Sequence, residues 1–81
     1  MEKQIKDLCL LLIYLTGWQE ESKDDPGEMV YRSWKGYPFK ILNELQQDNM
    51  IIQTPNKQPV VLKSEGIHRA KSLKQAYIKA E

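Results

Sequence analysis

The chain has 81 residues, 41 % of them hydrophobic and 28 % charged, with a net charge of +1 at neutral pH. That is enough for one domain and not two, too apolar for wholesale disorder, and short of the strong basic excess of a dedicated nucleic-acid binder. The lone cysteine, Cys9, excludes an intrachain disulfide and fits a reducing, cytoplasmic setting.

Residues 3–16 carry helical periodicity, with Ile5, Leu8, Cys9, Leu12 and Leu15 in phase. Leu10, Leu11, Ile13 and Tyr14 add apolar surface on the remaining sides. A helix apolar almost all round is buried on more than one side, and in so small a domain a second copy is expected to cover one of them. If Leu11 or Ile13 lies in that contact, a glutamate there should weaken the dimer. The apolar run 8–15 is far too short to span a bilayer, which takes about 20 residues. It also lacks the basic start and small-residue cleavage site of a secretory signal.

Gly17 is expected to end this helix in a left-handed conformation. Residues 19–28 contain almost nothing to bury and read as a mobile acidic loop, with a turn signal at Asp25-Pro26-Gly27. Their carboxylates do not have the spacing of a calcium loop. Met29–Trp34 reads as a short extended segment. Pro38 suits the first turn of a helix over 38–48, whose apolar face is Phe39, Leu42 and Leu45 with Ile41 beside it. Asn49 terminates it.

Residues 50–54 and 60–62 read as the two strands of a hairpin, joined through Pro55–Pro59. Ser64 is placed to cap the final helix and Glu65 to sit favourably at its positive end. That helix has Ile67, Ala70, Leu73 and Tyr77 as its apolar stripe. The order is α-β-α-β-β-α: one α+β domain over 1–81 with a small antiparallel sheet. The two terminal helices are expected to pack together or against their copies.

The motif Trp34-Lys35-Gly36-Tyr37, followed by Phe39, Leu42, Leu45, Met50 and Ile51 and by Val61-Leu62-Lys63-Ser64-Glu65-Gly66, resembles a group of small bacterial winged-helix-like proteins of unknown function. The Leu12-Ile13-Tyr14-Leu15-Thr16 stretch resembles the end of their first helix. The likeness covers roughly residues 8–70, and the chain departs from it by a longer acidic connection at 19–28. The resemblance implies a reduced winged helix, with 38–48 at the recognition-helix position and 50–62 as the wing. The wider superfamily mostly binds DNA, yet many members only contact proteins, so the fold alone does not decide.

Two readings of function follow. The first is a non-enzymatic module for protein association, chiefly with itself, whose candidate contacts are Leu8, Leu11, Leu12, Leu15, Leu73 and Tyr77; a larger protein partner is the variant of this reading. The second is a DNA-binding transcriptional regulator, whose candidate contacts are Lys40, Asn43, Gln46 and Gln47 on the middle helix, Lys57 at the hairpin tip, and Lys63, Arg69, Lys71 and Lys74 in or near the last helix. Residues 1–34 have four Lys/Arg against seven Asp/Glu, a balance of −3, and residues 35–81 have eight against four, a balance of +4. A polyanion would therefore meet the C-terminal half first. Glu44 and Asp48 offset Lys40 on the middle helix, which favours the first reading.

Trp34 and Phe39 are expected to form the corner of the core, Tyr37 to be partly exposed, and Lys35 to lie with its stem over Trp34. Catalysis has no sequence signature. His68 is the only histidine, Ser64 has no oriented base or oxyanion hole written beside it, and there is no glycine-rich phosphate loop. The sequence calls for no cofactor and no metal.

Overall fold

The computed structural model describes residues 2–22, 27–34, 36–54 and 59–78. Its order is α1 (Glu2–Leu15), β1 (Trp18–Glu21), β2 (Met29–Ser33), α2 (Phe39–Gln47), β3 (Ile51–Ile52), β4 (Val60–Leu62) and α3 (Ser64–Tyr77). The strands form one antiparallel sheet in the order β1-β2-β4-β3. The α+β class and the β3–β4 hairpin agree with the sequence; the order α-β-β-α-β-β-α does not. The added element is β1, where the acidic loop was expected to begin. Trp18-Gln19-Glu20-Glu21 pairs with Met29–Arg32 in register Trp18↔Arg32 to Glu21↔Met29, and the Ser22 amide donates to the Glu28 carbonyl. It is an edge strand, where charged side chains cost little because one edge and one face meet water. Residues 23–26 of that expected loop lie outside the described residues, as do 55–58 of the hairpin tip.

The sheet registers separate two rows of side chains, since neighbours along a strand point to opposite faces. Tyr31, Leu62 and Ile51 are cross-strand partners, as are Ser33 and Val60; these face the helices. Ile51, Val60 and Leu62 are buried there with Leu10, Leu11 and Ile13 of α1, Leu42 and Leu45 of α2, and Ala70 and Leu73 of α3. Trp18, Arg32, Val61 and Ile52 form the row on the other face.

Two glycines set close approaches. A Cβ on Gly17 would lie 2.4 Å from the Tyr31 ring and 2.6 Å from the Arg32 carbonyl oxygen. Gly17 is therefore required by contact between the end of α1 and β2, whereas positive φ among the described glycines belongs to Gly27. A Cβ on Gly66 would fall 2.1 Å from the Met50 carbonyl oxygen, the atom that accepts from the Lys63 amide. Asn49 does take the left-handed conformation at φ 63° and closes α2 as expected. The cap position of α3 falls on Lys63, one residue before the expected Ser64, and no side chain caps it.

Trp34 and Phe39 are not in the core. Ser33 takes the inward, buried place at the end of β2, so Trp34 turns outward, 62 % exposed, with its ring 5.4 Å from that of Trp18. Phe39 opens α2 one turn ahead of the covered leucines and is 71 % exposed. Tyr37 is half-buried against the core, as expected. Lys35 lies outside the described residues.

Candidate apolar interface on the first helix

Charge decides how α1 sits. The Lys6 amine donates to Asp48 at the end of α2 at 2.7 Å, and Arg69 of α3 donates to Asp7 at 3.2 Å. These pairs tie one side of α1 to α2 and another to α3, while Leu10 and Ile13 face the interior between them. Hydrogen bonding to Asp48 raises the Lys6 pKa, outweighing its partial burial. At the far end Tyr31 donates its phenol to the Tyr14 carbonyl, with the two rings stacked 5.2 Å apart. Burial, and then the neighbouring Tyr14, push the Tyr31 pKa up.

What remains faces water. Ile5, Leu8, Leu12 and Leu15 are 42 %, 42 %, 48 % and 41 % exposed. Their spacing of three, four and three residues keeps them in one line on the side of α1 opposite the core. Beside Ile5, the start of α2 forms a shallow groove lined by Ile5, Pro38, Lys40, Ile41 and Glu44. Cys9 borders the stripe, half-buried, and burial raises its thiol pKa.

The candidate contacts divide accordingly. Leu8, Leu12 and Leu15 lie together on the exposed stripe, and Ile5 joins them. Leu11 and Leu73 do not: both are buried within the chain, Leu11 because it turns inward one position before Leu12. Ile13 is fully buried as well, so a glutamate at either Leu11 or Ile13 would strike the core before it reached any dimer. Tyr77 is exposed at the end of α3.

The candidate nucleic-acid contacts do not converge. Asn43 accepts from the Gln53 side chain at 2.7 Å and Gln46 accepts from the Gln53 backbone amide at 2.8 Å. These amides fasten α2 to the end of β3. Arg69 is engaged with Asp7, and Lys63 reaches Asn49 at 3.4 Å. Lys40, Gln47, Lys71 and Lys74 are exposed, the last two on α3, and Lys57 lies outside the described residues. Ser64, Glu65, His68, Arg69 and Ser72 line a concavity contributed by α3 alone; among the described residues no hydrogen bond joins Ser64 to His68. No described helix is long and apolar enough to cross a membrane.

Three of the four exposed stripe positions, Leu8, Leu12 and Leu15, are among the expected contacts, but the sequence did not separate them from the inward-facing Leu11. The signal that places them is indirect: Lys6 and Asp7 occupy the flanks that meet α2 and α3, so the uncharged flank is left to solvent.

No curated protein and no solved structure matches the chain. The model of a domain of unknown function, DUF6429, matches residues 1–80, and the chain belongs to that family.

Proposed function

We propose that this domain works by protein association, with a second copy of itself docking on the outward face of α1. The carrying observation is the unbroken line Ile5, Leu8, Leu12 and Leu15, left exposed on the side of the helix turned away from the core. Large apolar side chains scattered singly on a surface need no explanation; a contiguous row of them marks an interaction site. The outer face of the sheet is the rival surface, with Trp34 and Ile52 exposed. There the row is interrupted by Arg32, whose guanidinium pairs with Glu20 at 2.8 Å, so it is less apolar and less continuous.

At the level of architecture, α2 followed by the β3–β4 hairpin supports a reduced winged-helix reading, with β1 as the departure. A DNA-binding role draws less from the geometry, because Asn43 and Gln46 direct their amides to Gln53. The test of association is the Leu8→Glu, Leu12→Glu double variant. Light scattering should give the native chain twice its 9.5 kDa mass and the variant the monomer mass with an unchanged far-UV spectrum. A variant that keeps the native dimer mass would remove α1 as the contact. Anisotropy with a mixed-sequence duplex should show no salt-sensitive binding; micromolar binding that falls with salt would favour the DNA reading.

A further inference from the structure

We infer that the two copies pair through α1 antiparallel, across a two-fold axis that passes between Leu8 and Leu12. This rests on the association reading and fixes its geometry. Three observations lead to it.

The exposed stripe is a heptad seam. Ile5 and Leu12 occupy one core position of the repeat, and Leu8 and Leu15 the other. Among the described side chains the positions flanking that seam are Gln4, Cys9 and Thr16, none of them charged, while Leu11 turns into the chain's own core. A partner helix with charged flanks would find nothing to answer it, whereas an identical neutral flank fits. The seam is also symmetric about residue 10. Turned end for end, Ile5 meets the partner's Leu15 and Leu8 meets the partner's Leu12, so every layer is filled.

The second observation is steric. An interface of ordinary size covers about 800 Å² on each partner. A helix of 14 residues, about 21 Å long, falls short of that with its seam alone, so its shoulders must join the contact. On one shoulder α2 stands beside the N-terminal half of α1, with Ile41 and Pro38 at Ile5 and Asp48 at Lys6. Beside the C-terminal half on that flank the neighbour is Ser33, 3.3 Å from the Thr16 hydroxyl. Antiparallel pairing sets the two α2 helices at opposite ends, each over the partner's C-terminal half. Parallel pairing would press each α2 toward the partner's α3 instead.

The third is electrostatic. The last turn of α1 contains no basic residue, so its carbonyl end keeps its partial negative charge. Antiparallel pairing sets the positive end of each α1 beside the negative end of the other.

The experiment is an isotope-filtered NOE measurement on a mixture of labelled and unlabelled native chains. Ile5 and Leu15 are about 15 Å apart along one helix, so a cross-peak between their methyl groups across the filter comes from the pair. The geometry predicts Ile5–Leu15 and Leu8–Leu12 cross-peaks. It also sets Cys9 facing the partner's Cys9 beside the axis, so the shortest bis-maleimide should trap a covalent dimer of the native chain and none of Cys9→Ser. A dimer that lacks the Ile5–Leu15 cross-peak overturns the antiparallel arrangement and leaves self-association standing. A chain that stays monomeric at the concentration of the experiment overturns the association reading itself.

Discussion

Gly66 sets two residue-scale forces against each other. Helix propensity favours alanine over glycine, by at most about 1 kcal/mol, so propensity alone predicts that Gly66→Ala, in the first turn of α3, stabilises that helix. The added methyl would lie 2.1 Å from the Met50 carbonyl oxygen, a backbone atom that cannot swing aside, and overpacking of this kind costs about 1–3 kcal/mol. The contact should win, and urea denaturation should show a lowered midpoint; an unchanged or raised midpoint would contradict it. Tyr31 offers a second residue-scale test. Its pKa is raised in the fold, so its contribution is fully present below the ordinary tyrosine value near 10 and is lost as pH climbs through the raised one. Tyr31→Phe should lower stability at neutral pH by about 1 kcal/mol, the worth of the bond to the Tyr14 carbonyl. It should also flatten the alkaline decline. The flattening is partial, because Lys6, raised by Asp48, and Cys9, raised by burial, lose their contributions in the same direction. A variant whose stability falls as steeply as the native chain above pH ~10 would refute the assignment.

At the scale of elements, α1 separates neighbours that look alike in the sequence. Leu11 is buried and Leu12 is half exposed. Leu11→Ala should cost about 2–5 kcal/mol through lost burial and the cavity left behind. Leu12→Ala should cost well under half of that, measured at concentrations where chains are separate. Equal costs in chemical denaturation would mean that the face is misassigned. Helices, the final hairpin and the stop at Asn49 were readable because periodicity, proline and a left-handed asparagine are local signals. The strand β1 was not, since Gln19, Glu20 and Glu21 are acceptable at a solvent-facing edge and have no β preference of their own. The orientation of α1 was not readable either. An all-round apolar helix fixes no face by hydrophobicity, and its face is set by distant partners, Asp48 for Lys6 and Arg69 for Asp7. For the same reason Asn43 and Gln46 looked available for recognition: their partner Gln53 is contributed by the residue just beyond β3.

At the scale of the whole molecule, a chain of this length buries only about 60–65 % of its unfolded surface, and a dimer adds burial without adding residues. The four stripe residues lie outside the chain's own core, so association should raise stability in proportion to the dimer formed, and thermal midpoints should rise with protein concentration. The measurement that bears most directly on this account is sedimentation equilibrium of the native chain from micromolar to millimolar concentration. The account predicts a mass approaching twice 9.5 kDa, with no larger species, because a two-fold contact through α1 closes on itself. A mass that stays at 9.5 kDa throughout, or one that climbs past the dimer without limit, would contradict it.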